Sequence, residues 1–211
     1  MKKTYIILIL IIIAVLIFLL PKSSPKEENL VVPQINQPEI TSPNNFQPPL
    51  NKAAERATKK TFGIFITPQN SPIQPERFQG YHTGVDFEIF PEEINTEVSV
   101  QAVCSGELKL KEYVNGYGGV AVQACELDKE PIAVIYGHLK LSSITANEGE
   151  NISTGDIIGI LGANQSTETN GERKHLHLGF HKGTTINLLG YVNSQSELSN
   201  WIDPCLYVCP N

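Results

Sequence analysis

The sequence predicts an all-β domain of short antiparallel strands, arranged as sheets or a sandwich, behind an N-terminal hydrophobic helix. After Lys60, short apolar runs alternate with Gly and Asn, and each run has the length and the Val, Ile, Tyr and Phe content of a strand. No amphipathic segment of helical length follows Lys60, and Asn115–Gly119 fits a hairpin loop. The predicted strands are Phe62–Ile66, Val98–Val103, Glu107–Val114, Gly119–Ala124, Ile132–Tyr136, Asp156–Leu161 and Leu176–Phe180.

Residues 1–20 are predicted to anchor the chain in a membrane. Lys2 and Lys3 precede an uncharged apolar run from Tyr5 to Leu20, which has the length of a short membrane-spanning helix. The two lysines favour a cytoplasmic start, so the residues after Leu20 would lie outside the cytoplasm. An uncleaved anchor is favoured because no A-x-A cleavage pattern follows the run, and secretion after signal cleavage is the alternative.

Residues 21–60 are predicted to form a proline-rich linker, and residues 61–211 the folded domain. Pro21 to Leu50 holds seven of the chain's fourteen prolines among many polar residues. Such a composition buries too little apolar surface to fold, and a proline-rich linker is semi-extended. The stretch Asn51–Lys60 forms either a short helix or more of the linker.

The bulk composition fits one globular domain with appendages. The chain has 211 residues, 41% of them hydrophobic, and a formal net charge of -6. A nucleic-acid-binding surface normally needs a basic stripe, and the sequence has none. We therefore expect no nucleic-acid partner.

The chain has four cysteines, Cys104, Cys125, Cys205 and Cys209. An even number in an exported chain predicts disulfides, for which three pairings are possible. We favour Cys104–Cys125, which bracket a predicted hairpin, and Cys205–Cys209, which are four residues apart. Buried free thiols are the alternative if the chain is not exported, and the missing C-x-x-C spacing argues against a zinc site made of cysteines.

His82 and Asp86 form the motif H-T-G-V-D. On an extended backbone, positions an even number apart face the same side, so the imidazole and the carboxylate could converge on one metal ion. The motif alone is a weak indication, because hydrogen-bonded surface pairs have the same spacing.

His175 and His177 form H-L-H and would share one face of a strand, with the intervening apolar residues facing the core. Two adjacent histidines bring no packing advantage, which favours a functional site over a pair of exposed strand histidines. His138 ends the strand in Y-G-H-L, where a single histidine is usually structural. His181 continues the same parity and is interpreted as a surface residue and a reserve ligand.

The motifs H-T-G-V-D, Y-G-H-L and H-L-H-L, in this order, resemble the signature of the lysostaphin-like or LytM-type zinc metallopeptidases. The segments between them are also similar. Ala102–Gly106 stands at the family's turn of small residues, Gly116–Gly119 at its glycine-rich loop, and Glu148–Gly159 at its G-x-x-V-x-x-G-x-x-I-G segment. The resemblance extends from about Phe62 to Asp203.

This resemblance implies a duplicated hybrid motif fold and an endopeptidase that hydrolyses peptide cross-links of bacterial peptidoglycan. It implies that His82, Asp86 and His177 bind one zinc ion, and that His138 and His175 are the catalytic histidines. Three protein ligands and an open fourth position are typical of catalytic zinc. Nearby histidines can transfer protons or stabilise an oxyanion, and the sequence does not assign these two roles.

The sequence departs from the family before H-L-H, where Glu172–Lys174 replaces the short glycine-proline turn of many relatives. The polar loop Gly162–Lys174 is also long. We expect this loop to border the groove, where it would set substrate preference or cover the site.

Two other functions compete with the enzyme. The first is a non-catalytic domain of the same fold that binds cell wall or activates another wall hydrolase. The second is a carrier domain, because Gly155–Gly159 also resembles lipoyl-type hybrid domains and a sugar phosphocarrier domain. All five site positions are filled here, which favours an enzyme, and the carriers lack the H-x-x-x-D and H-x-H pair.

Overall fold

The structure, a computed structural model, describes residues 46–209. The predicted membrane anchor at residues 1–20 and residues 21–45 of the predicted linker lie outside this range. Within the described range, no helix is long and apolar enough to cross a membrane.

Short β-strands dominate residues 46–209, and each α-helix there has four residues. The strands are β1 (Phe65–Ile66), β2 (Gly80–His82), β3 (Gly84–Glu88), β4 (Ser99–Gln101), β5 (Gly106–Val114), β6 (Gly118–Leu127), β7 (Glu130–Leu139), β8 (Asn151–Ile152), β9 (Ile157–Ile160), β10 (His175–Lys182), β11 (Tyr191–Val192) and β12 (Trp201–Ile202). The helices are α1 (Ala53–Arg56), α2 (Gln195–Leu198) and α3 (Cys205–Val208). Short 3-10 turns occupy Pro91–Glu93, Leu141–Ser143 and Thr167–Thr169.

The largest sheet has the strand order β12-β10-β7-β6-β5-β8, and its pairings are antiparallel. Strand β3 pairs with the first half of β10, so β3 and β12 share the edge of β10 that faces away from β7. Smaller antiparallel sheets, β1-β2-β11 and β4-β9, complete the described part of the domain. The predicted all-β antiparallel class is confirmed.

The central strands β6 and β7 are buried on both faces, which explains why their sequences are nearly continuous apolar runs. Side chains alternate between two clusters. On β6, Ala121 belongs to the main core, whereas Val120 and Val122 belong to a smaller cluster around Trp201. The strand that carries His138 is therefore packed from both sides.

Each predicted strand overlaps an observed one, and the predicted short helix within Asn51–Lys60 contains α1. Strands β2, β3, β8, β11 and β12 are not among the predicted strands. Most of them have two or three residues, too few to show an alternating pattern. Their pairing depends on neighbouring strands more than on their own residues.

Residues 46–60, assigned to the linker by composition, pack on the domain. Phe46, Leu50 and Ala53 belong to the main core, and Arg56 forms a two-pronged ion pair with Glu93. The predicted boundary at residue 61 therefore lies inside the packed unit. Composition misses this packing because the apolar residues stand singly among polar residues and prolines.

The structure forms both favoured disulfides, Cys104–Cys125 and Cys205–Cys209, and has no free cysteine in the described range. Cys125 lies on β6 and Cys104 lies just before β5. The first bond therefore ties the start of one strand to the end of its antiparallel neighbour.

We predict that replacing Cys104 and Cys125 with Ser lowers the free energy of unfolding by about 3 kcal/mol, because the bond closes a loop of 21 residues. The matched control replaces Cys205 and Cys209, whose loop of four residues should contribute only about 2 kcal/mol. Urea unfolding of both variants measures the difference. A larger loss for the short loop would contradict this entropic account.

Candidate metal centre and catalytic groove

The register of three strands places the central residues of the site in one row. His177 on β10 lies opposite Asp86 on β3 and, on its other side, opposite Gly137 on β7. The next residue on β7 is His138. Residues that are distant in sequence are therefore adjacent because antiparallel pairing fixes their positions.

His82 also lies at this site, but the backbone geometry that brings it there differs from the one that the sequence predicted. His82 ends β2 and Asp86 lies on β3, and these strands belong to different sheets. The two residues therefore do not share one face of a continuous strand. The chain passes from one sheet to the other at Thr83, and this crossing brings the two side chains together.

Three ligand atoms form a nearly equilateral triangle. His82 Nε2 lies 3.0 Å from His177 Nδ1 and 3.3 Å from Asp86 Oδ1, and His177 Nδ1 lies 3.1 Å from Asp86 Oδ1. All three side chains are buried. This arrangement brings three potential metal-ligand atoms together around one point.

The residue types and spacing fit a zinc ion. Tetrahedral zinc with nitrogen and oxygen ligands at about 2.0–2.2 Å has those ligands about 3.3 Å apart, close to the triangle observed. Two imidazoles and one carboxylate form a donor set that zinc uses in catalytic sites. His82, Asp86 and His177 would hold the ion, as the resemblance implied.

Neighbouring groups orient both histidine ligands. His82 Nδ1 donates to the Thr61 carbonyl at 3.3 Å, which leaves the Nε2 lone pair for a metal. His177 Nε2 lies 3.3 Å from the hydroxyl of Tyr117, which leaves Nδ1 facing the other two ligands. A hydrogen bond to the second ring nitrogen is how proteins fix metal-binding histidines.

The charge states of the site also suit a cation. Burial lowers the pKa of His177 to about 4, so the ring is neutral at neutral pH. Burial raises the pKa of Asp86, but the charges of His175 and His82, with hydrogen bonds from His175 and His177, outweigh this and hold the pKa well below its usual range. A neutral imidazole and an ionised carboxylate are the forms that bind metal.

His138 and His175 lie beside the triangle, with ring centroids 4.2 Å apart. His175 Nδ1 donates to the Arg173 carbonyl at 2.8 Å, and its Nε2 lies 3.3 Å from Asp86 Oδ2. Burial lowers the pKa of His138 well below its usual value, and the His175 ring lowers it further. Within residues 46–209, no hydrogen-bond partner lies near the buried Nδ1 of His138.

The five residues line one cavity of about 320 Å³. Aromatic and apolar side chains form part of its wall, from Phe78, Tyr117, Leu188, Leu189 and Tyr191. Glu172 and Arg173 also line it, so the Gly162–Lys174 loop borders the groove as expected. Its effect on substrate preference stays a prediction.

Two tyrosines add hydrogen-bond donors to the groove. Burial raises the pKa of the Tyr117 and Tyr191 phenols, so both stay protonated. Tyr191 Oη accepts a hydrogen bond from Lys60 Nζ at 3.0 Å, which leaves the phenolic hydrogen free to donate elsewhere. Lys60 is in turn paired with the buried Glu76 at 2.5 Å.

Sequence reasoning singled out neither tyrosine. Tyr117 stood in a segment noted only for its glycines, and Tyr191 lies on a two-residue strand with no recognisable motif.

His181 was expected at the surface as a reserve ligand, and this expectation is wrong. The ring is 9% exposed and packs edge-on against Trp201, with centroids 4.8 Å apart. It does not line the cavity of the other histidines and is not in the metal-binding group. Strand parity gave the correct face, but strand β12 covers that end of β10.

Gly84 explains the glycine of the H-T-G-V-D motif. A Cβ at this position would lie 2.3 Å from the Leu178 carbonyl oxygen and 2.8 Å from His177 Nε2. Contacts this short force a neighbour to move. The close approach of β3 to β10, and with it the position of the His177 ring, therefore requires glycine here.

The chain is similar to one family of known peptidases. The model of the family described as Peptidase family M23 matches residues 80–188, a span of 109 residues in a chain of 211. Comparison with curated protein sequences gives no match.

Several solved structures are similar to the chain. The structure of cbpa from L. salivarius REN is 23% identical, with a TM-score of 0.50, over 77% of this chain and 94% of that chain. A structure of LytU is 22% identical, with a TM-score of 0.46, over 71% of this chain and 84% of that chain. The SpoIIQ-SpoIIIAH pore forming complex matches at 15% identity and a TM-score of 0.49, over 79% of this chain and 93% of that chain. At this identity, the cbpa match shows a shared fold.

We predict that Gly84→Ala reduces zinc binding by at least tenfold, because the added methyl group displaces the His177 ring. Gly183→Ala is the matched control. Its site is open, and its positive φ of 80° costs stability without touching a ligand. Zinc content after dialysis, measured by elemental analysis, checks the result. Equal zinc in the Gly84 and Gly183 variants would contradict the steric argument.

Proposed function

Because the chain belongs to peptidase family M23, we propose that it is a zinc-dependent metalloendopeptidase that hydrolyses peptide cross-links of bacterial peptidoglycan. One observation carries the proposal: the ligand triangle of His82, Asp86 and His177 shares a single cavity with His138 and His175. A structural zinc site is closed by four protein ligands, whereas this one has three and opens to a groove.

A bound zinc ion would polarise the scissile carbonyl and lower the pKa of a water molecule. The protein's own groups must then move protons. We assign proton acceptance from the attacking water to His138, because its ring is neutral and lines the same cavity as the ligand triangle. The same ring can return the proton to the leaving amine.

His175 is the second proposed catalytic residue. Its Nδ1 is fixed by the Arg173 carbonyl, so the ring presents Nε2 to the ligand side of the groove. The protonated phenols of Tyr117 and Tyr191 line the same cavity. These groups can donate hydrogen bonds to the oxyanion of a tetrahedral intermediate, and such donors contribute strongly in a site that excludes water.

The proposed location is outside the cytoplasm, on a single N-terminal membrane anchor formed by residues 1–20. Two disulfides in a chain with no free cysteine among its described residues support export, because thiols stay reduced in the cytosol. Secretion after signal cleavage is the alternative form of the same proposal. In either case the substrate is the peptide part of the cell wall.

The rival function is a non-catalytic domain that binds cell wall or activates another hydrolase. Such a domain needs no metal and no proton-transfer groups. The buried ligand triangle and the two adjacent histidines have no packing advantage. Their convergence on one cavity therefore favours the enzyme.

We predict that His82→Ala and His177→Ala each abolish zinc binding and hydrolysis, because two remaining ligands cannot hold the ion. His181→Ala, on the same strand as His177 but away from the cavity, is the control and should retain zinc. Elemental analysis of the purified proteins measures the metal and identifies it. Full zinc occupancy in either ligand variant would rule out the assignment.

We predict that His138→Ala and His175→Ala keep zinc but lose roughly 10²- to 10⁴-fold in hydrolysis, the usual contribution of acid–base groups. Release of peptides from purified peptidoglycan, identified by mass, gives the rate and the bond that is cut. Wild-type turnover in either variant would remove that residue from the mechanism. A wild-type chain that binds zinc but releases nothing would favour the non-catalytic rival.

A further inference from the structure

Arg173 forms an unusual bridge behind the ligand triangle. Its Nη2 donates to Asp86 Oδ2 at 2.9 Å, and its Nε lies 3.0 Å from both carboxylate oxygens of Glu88. All three side chains are largely buried, with 15% of Arg173 exposed. This residue comes from the Glu172–Lys174 segment, where the sequence departs from the family pattern.

We propose that Arg173 is a positioning residue that holds Asp86 Oδ2 away from the metal, so that Asp86 binds through Oδ1 alone. The inference rests on the proposed zinc site. Arg173 would thereby help to keep the fourth coordination position of the zinc ion open.

The two oxygens of Asp86 have separate partners. Oδ1 lies 3.1 Å from His177 Nδ1 and 3.3 Å from His82 Nε2, inside the triangle. Oδ2 faces Arg173 at 2.9 Å and His175 Nε2 at 3.3 Å, outside it. Turning Oδ2 toward the triangle would break the charge-assisted bond to Arg173, which is among the stronger hydrogen bonds in proteins.

Strand geometry makes one guanidinium sufficient for both carboxylates. Asp86 and Glu88 are two residues apart on β3 and therefore project to the same face. The planar fork of Arg173 spans them, which the single ammonium of a lysine cannot do with the same geometry. An arginine at position 173 therefore matches the spacing of the two carboxylates along β3.

Glu88 resolves an electrostatic conflict. A lone cation beside Asp86 would repel a divalent metal ion, but Glu88 balances the charge of Arg173. Arg173 Nε and Nη2 both donate to the Glu88 carboxylate, so the two side chains form a close, bidentate ion pair. The paired Glu88 and Arg173 therefore present Asp86 with an oriented donor at almost no net charge.

Arg173 also contacts the proposed catalytic pair through its backbone. Its carbonyl accepts the 2.8 Å hydrogen bond from His175 Nδ1. A displaced Arg173 would therefore disturb two neighbours, and a loss of activity alone would not separate them. The test needs a measurement on the metal site itself.

The experiment uses the full chain, purified in detergent, with Arg173→Met as the main variant. Zinc affinity is measured by competition with a chelator, and coordination by the visible absorption of the protein loaded with Co²⁺. We expect affinity to fall by about 10- to 100-fold, the usual effect of losing a group that orients a ligand. We also expect the intense absorption of four-coordinate Co²⁺ to weaken as Oδ2 joins the metal.

A double variant separates orientation from charge. Arg173→Met combined with Glu88→Gln removes one positive and one negative charge, so the net charge equals that of the wild type. We expect it to show the same spectral change and at least a tenfold loss of affinity. Recovery of both wild-type properties would overturn the proposal, because charge alone would then explain the single variant.

Two further variants guard against trivial results. Arg77→Ala removes the arginine that binds Glu172 in the same loop but does not contact Asp86, and it should match the wild type in both measurements. Arg173→Lys keeps the charge and protects against misfolding of the Met variant. Its affinity should lie between those of the wild type and Arg173→Met, and wild-type values for it would overturn the proposal.

The outcomes distinguish this inference from the proposed function. If the wild type binds zinc and Arg173→Met has the same affinity and spectrum, the inference fails and the peptidase proposal stands. If the wild type binds no zinc, both are overturned. Neither measurement depends on which peptide bond is cut.

Discussion

The pairing of β3 with β10 is the constraint on which the site depends. It sets Asp86 opposite His177, and the same strand β10 pairs on its other edge with β7, which carries His138. A shift of one residue would turn every side chain of β10 to the opposite face. The apolar residues between the histidines prevent this shift, since Leu176 and Leu178 are fully buried in the main core.

The site consists of polar groups buried far more deeply than polar groups usually are. Most of them are paired with another: His82, His175 and His177 with Asp86, Asp86 with Arg173, and Arg173 with Glu88. A network of this kind is stable only when its members are satisfied. The well-packed strands on both sides of the site therefore hold the central residues of this network in place. The loops contribute only residues at its edge.

Much of the fold and of the centre could be predicted from the sequence, because strong local patterns marked them. His175 and His177 stood at alternate strand positions, and three motifs with a family resemblance named all five site residues. The roles of Arg173 and Tyr191 could not be predicted, because they depend on contacts between segments far apart in the chain. His181 was misplaced for the same reason, since only the folded chain brings Trp201 over it.

The main core includes a residue as close to the N-terminus as Phe46, and this packing has a mechanical consequence. Phe46 contacts Phe180 on β10 and Tyr207 on α3, with ring centroids 5.5 Å and 5.9 Å apart. Tension on the preceding chain would therefore reach the domain through this aromatic cluster, at the end of β10 remote from His175. The Cys205–Cys209 bond braces α3 beneath it. A pull on the residues before Phe46 would thus load the domain at this end of β10, away from the cavity that contains the ligand triangle.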